Sequence, residues 1–281
     1  EGRFYVWSAS ELEALLEPEE WDALTVNFDL PPNGNFEQGL SVLQRLQPGP
    51  LSAQVERALA KLFQVRYGQR PEDCPIFAPA KTNAEAKQTA WPGRIPPVTD
   101  TKMIVSWNSL MISGLARAAA VFAEPNYLVL AVQAAQFILT HQWQGNRLHR
   151  VYYEGTVAIP AQSEDYAFLI KALIDLHQAS LALDEVELAN EWLVSALKVQ
   201  AEFDEYLWAI KGGGYFNAAS DNASDLILRE RSWVDNATPS ANGVAIANLI
   251  RLASLSEDLT HLDRAEQALK AFSSLLDASP T

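Results

Sequence analysis

Apolar residues recur at helical spacing over three stretches of the C-terminal two-thirds of the chain, about 106–123, 163–182 and 239–256. Each is followed by a second helical stretch, about 126–143, 185–206 and 260–278. The first member of each pair is apolar nearly all round, which predicts burial on both sides. The later second members carry charge along one face, with Glu187, Glu191 and Lys198 in one and Asp263, Arg264 and Lys270 in the other, and so are expected to face solvent. Between the first two pairs, Arg147-Leu148-His149-Arg150-Val151-Tyr152-Tyr153 alternates like a strand and Glu154-Gly155 turns it. Gly212-Gly213-Gly214-Tyr215-Phe216 and Leu226-Ile227-Leu228 predict another small hairpin before the third pair.

The pairs form an internal repeat. Aligning Trp107, Asp165 and Ala241, spaced 58 and 76 residues apart, brings Asn108, Tyr166 and Asn242 together, then Ile112, Ile170 and Ile246, then Leu115, Leu173 and Leu249. An inner helix followed by an outer one, repeated with β excursions, describes an all-α fold of the α/α-toroid class; stacked hairpins bury a core that one hairpin cannot. An open superhelix of helix pairs is the competing architecture. It usually keeps a shorter, stricter period and lacks the aromatic and polar helix entrances found here.

The N-terminal part is less regular. Gly2–Trp7 reads as a short aromatic β-like run, and Ser8-Ala9-Ser10-Glu11 has capping-box form ahead of a helix through Leu12, Leu15 and Leu16. A second short helix is expected near Glu19–Asn27, an extended or irregular stretch over 36–47, and a helix from Ser52 to about Tyr67 carrying Val55, Leu59, Leu62 and Phe63. The proline-rich segment 68–99 reads as a long surface loop inside one domain that covers 1–281.

Parallel inner helices gather their N-termini at one end. That rim collects Asp100, Lys102, Trp107, Asn108, Glu164, Asp165, Tyr166, Asp235, Ser240 and Asn242. Helix N-termini add unpaired N–H groups and positive potential. A polyhydroxylated ligand needs flat apolar faces to stack on and carboxylates or amides to meet its hydroxyls, and this set offers both. Each residue also has a structural reading: Ser163, Asp165 and Ser240 as N-caps, Trp107 and Tyr166 as packing groups, Pro239 as a helix starter. Three such entrances at one end favour a pocket.

A formal net charge of −14 argues against nucleic acid and anionic membrane as partners. The lone Cys74 leaves no internal disulfide and no Cys-x-x-Cys site. The four histidines, His141, His149, His177 and His261, lack metal-ligand spacing, so neither metal nor cofactor is expected. The triple glycine has no Lys-Ser/Thr after it and reads as a turn, and Gly-x-Ser-x-Gly is absent. Carboxylates are left as the candidates for acid–base work. No signal peptide or membrane-spanning run is visible, which makes a soluble, cytoplasmic protein the expectation.

Five motifs occur in order: Glu1–Trp7, Ser106-Trp107-Asn108 after Asp-x-Lys, Glu164–Phe168, Gly213–Phe216, and Asp235–Asn242. Together they resemble the α/α-toroid portion of the thioredoxin-domain-containing, spermatogenesis-associated protein family, over most of the chain. The resemblance implies a fold akin to six-hairpin glycosidases and N-acylglucosamine 2-epimerases. It also implies a thioredoxin-like domain ahead of the toroid in the parent protein, which makes this chain a piece of a longer one. Three hairpins are clear and residues 10–67 offer one more, short of a full ring. Ser109 and Ala241 stand where the family usually has glycine. The family brings no settled reaction, and the histidine bases of the sugar epimerases have no counterpart at the three entrances. Two functions compete. In the first, the rim processes a sugar-like ligand, most plausibly by hydrolysis: Asp165 with Asp100 or Asp235 as acid and base, and Lys102, Trp107, Asn108, Glu164, Tyr166, Ser240 and Asn242 as binding groups. In the second, the chain is a non-catalytic binding or scaffold module for the thioredoxin-like domain.

Overall fold

The computed structural model describes residues 2–74, 76–77, 79–222 and 227–278. They form two compact units, Glu1–Asp100 and Thr101–Thr281.

In the first unit, α1 (Ala9–Leu15) starts on Ser8, whose hydroxyl accepts the Glu11 N–H, as the capping pattern predicts. The α2 helix (Pro18–Asn27) packs against α3 (Ala53–Tyr67), and a two-stranded ladder joins β1 (Phe28–Asp29) to β2 (Gln44–Arg45). Trp7, Leu12, Leu24, Val55, Ala58 and Leu62 make the core. Gly68 ends α3 in the left-handed conformation, where a side chain would be strained. The segment 68–99 is not wholly irregular: α4 (Asn83–Gln88) is capped by Thr82 and buries only Ala86. One buried residue in six leaves no apolar period to read, which is why a loop was expected there. Arg94 anchors the end of the segment by stacking over Trp7, 3.7 Å from the ring centre, and donating to the Phe4 and Val6 carbonyls.

In the second unit, three hairpins follow the expected order: α5 (Val105–Phe122) with α6 (Pro125–Phe137), α7 (Ser163–Ala182) with α8 (Val186–Leu207), and α9 (Ala241–Ser256) with α10 (Thr260–Ala278). The first helices also pack side by side, α5 on α7 and α7 on α9. They run parallel. Ser106 and Ser113 of α5 meet Asp165 and Asp175 of α7, while Asn248 and Arg251 of α9 meet Ala167 and Asp175, so each contact advances along both partners. This is the all-α, inner-and-outer hairpin layout of the α/α-toroid class. A small antiparallel sheet interrupts it, in which β5 (Arg147–Tyr153) pairs with β3 (Met103–Ile104), β4 (Trp143–Gln144) and β6 (Thr156–Pro160).

Of the inner helices only α7 is buried nearly all round. The α5 helix leaves Trp107, Met111, Gly114 and Val121 in water, a stripe at helical spacing. Helix starts fall at Val105, Ser163 and Ala241, so the third repeat begins two residues later than the sequence alignment implies. The hairpin expected across 212–228 does not form as drawn. Tyr215 bridges back to Trp208, Ile227 and Leu228 lie outside any strand, and Leu226 lies outside the described residues. Among the described residues no helix is long and apolar enough to cross a membrane.

Candidate functional site

The start of α5 shows how the rim is built. Its N-cap, Ile104, has no side chain to accept a hydrogen bond, so the first-turn N–H groups need outside acceptors. Asp165, in the first turn of α7, supplies one: its Oδ1 accepts the Ser106 N–H at 3.0 Å. Its Oδ2 accepts the Gln162 N–H of its own helix entrance at 2.9 Å and the Arg150 guanidinium of β5 at 2.9 Å. One carboxylate thus caps two helices and takes an ion pair while wholly buried. Gln162, not Ser163 or Asp165, is the capping position of α7. Burial pushes the Asp165 carboxyl above the usual range, opposed by Arg150 and then by the two amides. Arg150 also pairs with Glu164 at 2.6 Å, and that pair stays partly exposed.

Tyr166 is buried with its ring stacked on Phe203, 5.1 Å between centres; Phe203 stacks in turn on Tyr215 at 3.7 Å. Both phenols donate to acids, Tyr166 to the buried Glu202 at 2.7 Å and Tyr215 to the partly buried Asp204 at 2.6 Å. Glu202 also accepts the Leu148 N–H at 2.8 Å and faces Arg147. Burial raises both tyrosines above their usual value, and the neighbouring carboxylates add to that. Burial raises Glu202 and Asp204 as well. Asn242 is buried too, holding the Tyr215 N–H and carbonyl and the Ser232 carbonyl. Ser240 caps α9 through the Gly243 N–H, and the exposed Asp235 accepts the Ser240 N–H at 2.7 Å.

The ten rim residues therefore part company. Asp165, Tyr166, Ser240 and Asn242 are turned into the protein. Trp107 stands 62% exposed, and Asn108 beside it donates to the Ile104 carbonyl. Glu164 is half-buried on Arg150, and Asp235 is exposed on the loop before α9. Lys102 lies just inside the second unit and Asp100 closes the first; both are exposed and engaged with neighbours. Sequence reasoning missed Arg147, Arg150, Glu202 and Asp204. The two arginines sat in a stretch correctly read as a strand, but the partners of a strand's charges depend on the helices packed over it. Among the described residues no three or more His, Cys, Asp or Glu are grouped to hold a metal.

Fold and rim define an α/α-hairpin protein whose inner-helix entrances are tied by acid–arginine and acid–tyrosine pairs, with the Trp107 indole and the Glu164–Arg150 pair facing water. No family model matches the chain. The whole chain is homologous to a portion of spermatogenesis-associated protein 20: it is 32% identical to the mouse (Mus musculus) protein over 299 residues, covering 100% of this chain and 36% of the relative. The human relative is 30% identical, with 37% of it covered. The chain thus spans little more than a third of the curated relatives it matches. Among solved structures, D-mannose isomerase is similar at 21% identity and a TM-score of 0.47, covering 62% of this chain and 42% of that one. Cellobiose 2-epimerase from Spirochaeta thermophila is similar at 16% and 0.49, covering 63% and 44%. These likenesses concern helical layout and leave the chemistry to this chain's own residues.

Proposed function

We propose that the rim of the second unit binds a carbohydrate-type ligand, with Trp107 as its stacking platform. The carrying observation is the exposure of that indole at an inner-helix entrance, one residue from the Ser106 amide that Asp165 holds. A large flat apolar face left in water beside polar groups suits the alternating CH faces and hydroxyls of a sugar ring. The partly exposed Glu164–Arg150 pair, held on the same Asp165, supplies an acceptor and further N–H groups. Lys102, Asn108 and Asp235 are the further polar candidates.

Asp165 serves this site as a positioning residue. Three donors already engage both of its oxygens, so it orients Arg150 and fixes the α5 entrance rather than exchanging protons with a ligand. A two-carboxylate hydrolysis that includes Asp165 would first have to break those bonds. Binding, or processing by other groups, is the reading the geometry favours. The test is a panel of mono- and disaccharides followed by tryptophan fluorescence and thermal shift on the 281-residue chain. A saturable shift that disappears in Trp107→Ala and weakens in Glu164→Gln is expected; no shift across the panel overturns the proposal.

One observation favours the second reading, a non-catalytic module for a thioredoxin-like domain elsewhere in the parent protein. Trp107, Met111, Val121 and Phe122 leave apolar surface exposed along α5. Binding of a thioredoxin-like domain in trans, lost on Met111→Asp and indifferent to sugars, would select it.

A further inference from the structure

The second unit carries another concavity, about 360 Å³, away from the helix entrances. Its walls are the C-terminal half of α5 (Ala116, Arg117, Ala120), the middle of α7 (Lys171, Asp175, Gln178) and Arg251 of α9. Nothing in the sequence motifs points to it. We propose that it is a binding site for a small dianion, a phosphate group borne by a small organic molecule.

The charge sets the argument. Arg117, Lys171 and Arg251 face a single carboxylate, Asp175, which leaves two positive charges in excess. The chain as a whole has a formal net charge of −14, so the concavity has the opposite sign to the chain's overall charge. Counterions alone leave such an excess diffuse; here it is held in place. Asp175 is almost fully buried and accepts from Lys171 at 2.7 Å, from Arg251 at 2.6 Å and from the Ser113 hydroxyl. Arg251 is steadied further by Gln178, which accepts from the same nitrogen at 2.9 Å. The carboxylate therefore acts as a peg that orients two cations, each still more than a quarter exposed. The ammonium and guanidinium keep N–H groups that Asp175 does not use.

Arg117 completes the set. Among the described residues it has no ion-pair or hydrogen-bond partner, although it lies one side of a concavity whose other cations are paired. Its guanidinium fork matches a phosphate edge. Ala116 and Ala120 keep the α5 wall low, so an anion can approach the charges without displacing bulk. A monoanionic carboxylate would neutralise half of the excess, whereas a phosphomonoester neutralises all of it.

The site is tested by titrating the 281-residue chain with inorganic phosphate and with glucose 6-phosphate, at low and constant ionic strength. Glucose and acetate serve as controls, with calorimetry and thermal shift as readouts. Saturable phosphate binding is expected, tighter for the phosphomonoester if the concavity also takes the organic part; equal affinity for the two assigns the site to free phosphate. Arg117→Ala should weaken binding about tenfold or more, the effect of losing one charge-assisted pair, and should leave the melting temperature of the free protein unchanged. Arg117→Lys should recover part of the loss. Trp107→Ala should bind phosphate as the parent does, which separates this site from the rim. No phosphate-dependent shift in the parent chain, an equal shift with acetate, or unaltered binding in Arg117→Ala overturns the proposal.

Discussion

Two aspartates on one helix, Asp165 and Asp175, occupy opposite situations. Asp165 at the entrance of α7 is wholly buried, and burial outweighs its three donors, so its carboxyl sits above the usual range. Asp175 lies less than three turns further on. Burial again acts to raise it, but Lys171, Ser113 and Arg251 together outweigh that and hold it below the usual value. The first stands in a network where one arginine serves two carboxylates, Asp165 buried and Glu164 partly exposed. The second stands in one where cations outnumber it and open onto a concavity. A buried carboxylate at a helix entrance can thus be scaffold, while one midway along the same helix holds cations that line an open concavity.

Substitutions separate the two networks. The largest effect is expected from Asp165→Ala, which leaves Arg150 without its buried partner and both helix entrances without an acceptor. A loss of about 3–5 kcal/mol in urea unfolding is the expected scale. A loss under about 1 kcal/mol would mean that the rim is not the network described, on the ordinary scale for surface changes. Next comes Tyr166→Phe, which keeps the Phe203 stack but removes one donor to Glu202, whose Oε1 still accepts the Leu148 N–H: about 1 kcal/mol, measured the same way. If Tyr166→Phe is silent, the acid–tyrosine pair contributes nothing.

Acid titration of stability gives the two networks opposite signs. The folded Asp175 holds its proton less tightly than the unfolded chain does. Its contribution is complete above the ordinary aspartate range and is lost as pH falls through its lowered folded value, below about pH 4. Asp175→Asn should flatten that acid limb. Glu202 is shifted the other way, so its folded form binds protons more tightly. Its contribution is complete below the ordinary glutamate value and declines as pH rises through the raised one. Glu202→Gln should remove that decline. Identical pH profiles for the two variants would erase the contrast between the networks. The smallest effect on stability belongs to Trp107→Ala, within about 0.5 kcal/mol, because the indole faces water. In that variant only the response to sugars should change.

Much of the fold was legible because it rests on local periodicity. The bounds of α7, β5 and α10 agree with those read from the apolar pattern, and Ser8 and Ser240 cap the helices they were expected to cap. The failures share a cause. The α4 helix buries one residue, and the 212–228 hairpin was drawn from two extended-looking runs, whereas Tyr215 takes its ladder partner from the end of α8. Neither feature leaves a periodic trace. The site was less legible than the fold. Residue types at the entrances were read correctly as polar and aromatic, yet whether Trp107 or Tyr166 faces water depends on which neighbours cover it.

What the sequence determined by itself, then, is the set of helical hairpins and their order, since spacing along one chain sets which face of a helix is apolar. Homology along its full length adds the kinship with part of spermatogenesis-associated protein 20. Only the tertiary structure decided which charges meet. Arg150 finds Asp165 across 15 residues, Ser113 finds Asp175 across 62, and Arg251 reaches the same carboxylate across 76. Coulomb and hydrogen-bond energies depend on distance and burial, and neither is written in the spacing of residues along the chain.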